Sequence, residues 1–320
     1  MERDYGRRIG YQGKLEEISL AICKDLCLGN FVKNKLILTG YEDYNFILET
    51  TNGKYFVKVF ANSKTIGHCN RYINVMKTVL AAGVKTPKLI KNGTVYLNKL
   101  KLNDANLRFC LLEYISGKDL FSLSKTLVDD EIRSIVNQAA LINSIDIKPP
   151  FIYDPWAITN FKKEFKKKSK HLSTEDLSML KLLIEEFDIL RIHELPRCFV
   201  HGDLVRTNIM KDNNGEIWII DFSVSNYYPR IQELSVLASD LLFDPKSKEE
   251  SERRYNIAIR EYQKKCPLIK TELTALRTYI KLAFAMHILL TSYEKANNQN
   301  SSKENEYYLR LGRAGLKQMA

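Results

Sequence analysis

One stretch of this 320-residue chain restricts its fold more than any other: CFVHGDLVRTNIMKDNNGEIWIIDFS, residues 198–223. Apolar NIM at 208–210 and IWII at 217–220 flank Asp212-Asn213-Asn214-Gly215, which is turn chemistry, so the segment is expected to form an antiparallel hairpin. The start of the first strand then lies beside the end of the second, and Asn208 and Asp221 meet although they are thirteen positions apart. An amide oxygen and a carboxylate at neighbouring strand ends suit Mg²⁺, a hard ion that takes few protein ligands and completes its octahedron with water and phosphate oxygens. Asp203, on the loop entering the hairpin, is placed to accept a proton from a hydroxyl held against a metal-bound phosphate.

Upstream, Asn52-Gly53 separates ILETT from KYFVKVF and marks a second hairpin. Alternation puts Phe56, Lys58 and Phe60 on one face and Tyr55, Val57 and Val59 on the other. Ile66, Cys69, Ile73, Met76 and Leu80 trace one face of a helix that Gly83 and Pro87 end. RFCLLEYISG at 108–117 reads as extended, with Ser116-Gly117 as a hinge, and long helical patterns follow at 129–144, 158–170, 173–190 and 250–294. A strand-rich first third before a helix-rich remainder indicates an α+β protein in two lobes.

Composition narrows the class further. The 45% hydrophobic content excludes a disordered chain, and 49 Lys+Arg against 38 Asp+Glu, a net +11, suggests an anionic partner without naming it. The longest apolar stretch, Leu282 to Leu290, is far short of the roughly 20 residues a membrane span needs, and no apolar leader follows the first charges. We therefore expect a cytoplasmic protein with no membrane partner. Six scattered cysteines read as reduced thiols.

HGDLVRTN followed by IIDFS resembles the aminoglycoside phosphotransferase and choline kinase superfamily, small-molecule kinases of protein-kinase-like fold. Protein kinases precede the aspartate with His-Arg, whereas this chain has His201-Gly202. The resemblance implies an ATP- and Mg²⁺-dependent transfer of phosphate to a hydroxyl of a small-molecule acceptor: an amino alcohol, hydroxy amino acid, aminoglycoside or sugar. It implies a bilobal fold, with residues 1–116 as a β-rich nucleotide-binding lobe and 117–320 as a helical lobe carrying the catalytic loop and acceptor site. Asp203 would be the catalytic base, and Asn208 and Asp221 would hold the metal. Lys58 would contact the nucleotide phosphates. The backbone carbonyl of Glu113 and N–H of Ile115 would bind adenine, with Leu112 behind the ring. GYEDYNF at 40–46, which has one glycine, would cover the phosphates and use Asn45 as a donor, as in the hydroxylysine kinase-like branch.

The chain departs from the pattern at two points. The fold places a glutamate on the helix after the strand lysine, yet no acidic residue occurs between Glu49 and Asp104, so Lys58 is expected to lack that partner and Asn70 or Tyr72 to stand near it. Ser223 replaces the glycine of a D-F-G motif and reads as neutral. The missing glutamate motivates an alternative, a nucleotide-binding pseudokinase module. A protein kinase is disfavoured because no A-P-E follows Asp221. The basic run at Lys162, Lys163, Lys166, Lys167, Lys168 and Lys170 reads as a solvated helix face rather than a nucleic-acid contact. Glu233 is expected to support the catalytic loop, His201 to order it by hydrogen bonding, and Tyr227, Tyr228 and Arg230 either to pack structurally or to line an acceptor pocket.

Overall fold

The computed structural model describes residues 2–40 and 42–320. Its strands are β1 Phe31–Leu36, β2 Tyr44–Thr50, β3 Gly53–Val59, β4 Leu89–Ile90, β5 Asn98–Leu102, β6 Ala105–Glu113, β7 Gly117–Asp119, β8 Arg197–Val200, β9 Ile209–Asp212, β10 Ile217–Ile219 and β11 Asn226–Pro229. The α-helices are α1 Glu2–Ile9, α2 Leu15–Asp25, α3 Ile66–Ala81, α4 Leu120–Leu123, α5 Asp129–Asn143, α6 Phe161–Lys168, α7 Thr174–Ile189, α8 Ile231–Ser239, α9 Lys248–Gln263, α10 Lys270–Asn297 and α11 Lys303–Met319. The fold is mixed α+β, and it divides into two compact units: Met1–Lys118 with Met210–Ile220, and Asp119–Ile209 with Asp221–Ala320.

The first unit is strand-rich. Its main sheet runs β1-β2-β3-β6-β4, with β5 paired to β6. The hairpin turns at Thr51-Asn52, one residue earlier than Asn52-Gly53, which pairs Thr50 with Gly53 and Asn45 with Lys58. One sheet face carries Phe46, Leu48, Val57, Val59 and Phe109 into a core closed by Ile9, Ile18 and Ile22 of α1 and α2. The other face carries Lys58, where α3 brings Tyr72 within 5.2 Å of the ammonium. In α3, Thr65 caps the first turn and Cys69, Ile73 and Met76 are buried, whereas Ile66 is exposed.

Residues 209–219 form the expected hairpin, pairing as β10-β9-β7. Asp212 builds its turn by accepting the N–H groups of Asn214 and Glu216 at 2.9 Å each and the Trp218 indole N–H at 3.0 Å. Gly117 is required by close approach: a Cβ there would stand 2.3 Å from the Lys211 carbonyl oxygen, deep inside contact distance.

The second unit is mostly helical. Its 28-residue helix α10 buries Leu282, Phe284, Met286, Ile288 and Leu289. By length and composition this helix could cross a membrane, but 72% of its apolar window is buried inside the protein. The basic run lies along α6 and its C-terminal turn, where Lys168 pairs with buried Glu164 at 2.6 Å and Lys162 with Asp188 at 2.6 Å. Part of that charge is therefore neutralised within the fold. A short β8–β11 ribbon pairs Val200 with Asn226 and carries the chain into the loop that follows.

Candidate active site

The first turn of that loop, which runs from His201 to Asn208, is held by one carboxylate. Glu233, fully buried near the start of α8, accepts the His201 N–H at 2.8 Å on one oxygen and the Gly202 N–H at 2.9 Å on the other. Burial pushes its pKa up to about 7 against these hydrogen bonds. His201 turns its Nδ1 to accept the Asp203 N–H at 3.2 Å and packs its ring 4.5 Å from that of Phe222. Gly202 adopts φ +85°, a conformation that disfavours side chains, so the tight turn depends on glycine here.

The turn aims Asp203 at Asn208. The Asn208 amide Nδ2 donates to the Asp203 backbone carbonyl at 3.0 Å and to its carboxylate Oδ2 at 2.7 Å. With Nδ2 so committed, Asn208 offers a ligand its Oδ1. Burial, then the charges of Asp154, Asp221 and Glu304, push the Asp203 pKa up to about 8, against the Asn208 hydrogen bond. Asp221 has φ +62°, and its Oδ1 accepts from the Ser223 N–H at 3.2 Å and hydroxyl at 2.5 Å. Ser223, read from sequence as neutral, thus orients this carboxylate. Among the described residues no group of three or more His, Cys, Asp or Glu could cage a metal. Asn208 and Asp221 are hard oxygen donors that fit an ion whose remaining ligands come from phosphate and water.

Several residues around the loop escaped the sequence reading. Asp240, fully buried at the end of α8, accepts the Arg206 N–H at 2.6 Å and the Tyr307 hydroxyl at 3.1 Å. Asp154 and Glu304, from distant parts of the unit, act on Asp203 through charge. From sequence Asp240 read as a helix-end residue and the other two carried no signal. Arg230 meets buried Glu272 through two 2.6 Å hydrogen bonds, and Tyr228 packs with Ala157 and Val200, so both serve structure.

His287 of α10 is buried, stacks at 5.0 Å on Tyr308, and neither ring nitrogen has a hydrogen-bond partner. Burial alone depresses its pKa to about 4. The unfolded chain takes up that proton near pH 6.5 and the folded one only near 4, so this stabilisation is complete above pH 6.5 and is lost as pH falls toward 4. The loss at pH 4 is about 3 kcal/mol. In urea titrations His287→Phe should retain that stability on the acid side; an unchanged acid-side slope would contradict the assignment.

In the strand-rich unit, the expectation that Lys58 lacks an acidic partner is corrected. Lys58 Nζ lies 2.8 Å from Asp43 Oδ2, with both side chains only 3% exposed. The partner comes from the loop between β1 and β2 rather than from α3. Asn70 is exposed, and Tyr72 offers Lys58 its ring face. Burial raises the Asp43 pKa, but the charges of Lys58 and Lys64 outweigh it and hold the carboxyl well below the usual range. Asn45 stands directly across from Lys58 on β2, its Oδ1 buried without a hydrogen-bond partner. Tyr41, in the same expected phosphate loop, lies outside the described residues. Leu112 and Cys110 share the Lys58 face of the sheet, Glu113 ends β6, and buried Ile115 follows.

Known proteins resemble this chain in fold and in sequence. Choline kinase LicA from Streptococcus pneumoniae is similar in fold, with a TM-score of 0.65, 18% identity, and coverage of 94% of this chain and 98% of that one. Amicoumacin kinase hAmiN, solved with AMP-PNP, Ca²⁺ and its ligand, superposes with a TM-score of 0.70 at 13% identity, covering 99% and 96%. A homoserine kinase of Methylobacillus flagellatus is 22% identical over 218 residues, which is 67% of this chain, and the chain spans 65% of that relative's length. The model of the phosphotransferase enzyme family matches residues 33–266, a span that takes in Lys58, Asp203, Asn208 and Asp221. The chain belongs to the phosphotransferase enzyme family.

Proposed function

We propose that the protein is an ATP- and Mg²⁺-dependent kinase that phosphorylates the hydroxyl of a small, positively charged metabolite such as an amino alcohol. The observation that carries the reading is the 2.7 Å bond from Asn208 Nδ2 to Asp203 Oδ2, which fixes a carboxylate beside an oxygen donor for a divalent ion. Asp203 accepts the acceptor's proton as its oxygen bonds to the γ-phosphorus and the bond to the β-phosphate oxygen breaks, releasing ADP. Asn208 keeps that carboxylate in place. Asn208 and Asp221 would hold Mg²⁺, which would supply positive charge to the nucleotide phosphates. Lys58 and Asn45 meet the nucleotide phosphates, while the Glu113 carbonyl, the Ile115 N–H and Leu112 receive adenine. The hAmiN structure, with AMP-PNP and Ca²⁺ bound, supports nucleotide and divalent-ion use on this fold.

Charge selects the acceptor class. Asp154 and Glu304 act on Asp203 without belonging to the metal pair, and the aromatic rings of Trp156, His287 and Tyr308 adjoin one another beside them. Carboxylates with aromatic faces suit an ammonium group better than a neutral sugar. Calorimetric titration with AMP-PNP tests the nucleotide part of the reading. Binding should tighten at least about tenfold with Mg²⁺ over EDTA, and Asp221→Asn should lose that increment. Absence of binding in either buffer would contradict it.

A further inference from the structure

We propose that Asp43 positions Lys58, taking the role that the resemblance gives to a glutamate on the following helix. The assignment rests on the kinase reading for what Lys58 does, and on geometry for what holds it. A buried ammonium needs a counter-charge, and between Glu49 and Asp104 the sequence has none. Asp43 supplies it at 2.8 Å and is itself fixed from three directions. Its Oδ1 accepts the Ala61 N–H at 3.0 Å, its Oδ2 also accepts from Lys64 at 2.8 Å, and Arg8 of α1 donates to its backbone carbonyl at 3.2 Å. Glu42, half-exposed, balances Lys64 at 2.8 Å, so two ammonium groups face two carboxylates. The Tyr72 ring, 5.2 Å from Lys58 Nζ, bounds the ammonium from α3.

The consequence is a different coupling. Where the anion rides on the helix, the helix sets the lysine. In this chain the anion lies in the β1–β2 segment that leads into Asn45, so the lysine and the loop expected over the phosphates are one unit, tied to α1 through Arg8. Lysine placement becomes independent of acidic chemistry on α3.

A double-mutant cycle on AMP-PNP affinity tests this, with thermal unfolding measured on the same samples because an unpaired buried ammonium destabilises a fold. Asp43→Asn should weaken binding at least about tenfold. Where turnover is measured, it should raise the KM for ATP and leave the KM for the acceptor unchanged. Lys58→Met should weaken binding comparably, and Lys58→Met/Asp43→Asn, which buries no unpaired lysine at this position, should be no worse than Lys58→Met. Asn70→Ala on α3 should bind as the parent does. Normal affinity in Asp43→Asn, or a further tenfold loss on adding it to Lys58→Met, would overturn the assignment. Parent protein that binds no nucleotide would instead overturn the kinase reading beneath it.

Discussion

An Asp203→Asn protein is expected to transfer phosphate about a hundred- to ten-thousand-fold more slowly than the parent, the usual range for losing a positioned proton acceptor. It should nevertheless unfold at the same temperature or higher. Asparagine keeps an oxygen for the Asn208 amide to bond, and it removes a carboxylate from the field of Asp154, Asp221 and Glu304. That opposition of signs separates a chemical role from a structural one. Parallel loss of rate and stability would mean that Asp203 builds the loop instead of acting in it, and an unchanged rate would remove it from the reaction. AMP-PNP affinity should move little, since the role proposed for Asp203 is toward the acceptor and not the nucleotide.

Glu233→Ala is the counterpart, with its large effect on stability. Truncation leaves the buried N–H groups of His201 and Gly202 without acceptors. At about 1–3 kcal/mol for each orphaned donor, the expected loss is about 2–6 kcal/mol, read as a lower midpoint in urea at unchanged slope. Activity should fall with it, because the same two bonds set the turn that presents Asp203. Glu233→Gln should lie between, since one amide oxygen can serve one N–H while its NH₂ confronts the other. A midpoint equal to the parent's would show that other groups hold the loop.

The difference between these residues explains what could be read from sequence. The hairpin around Asp212 and the clustering of Asp203 with Asn208 depend on turn chemistry and spacing within 26 residues, so the pattern was local and legible. Asp43 was hidden by register. With Asn52-Gly53 as the two turn residues Ile47 would face Lys58, whereas the structure turns at Thr51-Asn52, pairs Thr50 with Gly53 and Asn45 with Lys58, and so brings the segment just before β2 to the lysine. Looking for the partner on α3 hid it as well. Asp154, Glu304 and Asp240 were not legible, because they reach the loop from positions 49 residues before Asp203 to 101 after it, through helix packing that no short pattern encodes. Gly117 looked like a hinge, and only the strand packed on it shows that a Cβ would strike the Lys211 carbonyl. The net charge of +11 likewise said little about partners, since Glu164 and Asp188 absorb part of the α6 lysine run.

The central claim is phosphate transfer from ATP to a cationic alcohol. It is tested most directly by incubating the full-length protein with ATP and Mg²⁺ against matched acceptors that differ in charge, amino alcohols beside neutral polyols of the same size. Phosphorus NMR then follows ADP and any phosphate ester in one sample. The account predicts a phosphomonoester of an amino alcohol appearing in equal amount with ADP, absent in EDTA, with neutral polyols at least about tenfold slower. Transfer to neutral sugars in preference would contradict the acceptor assignment, and bound nucleotide with no ester from any acceptor would contradict the kinase reading itself.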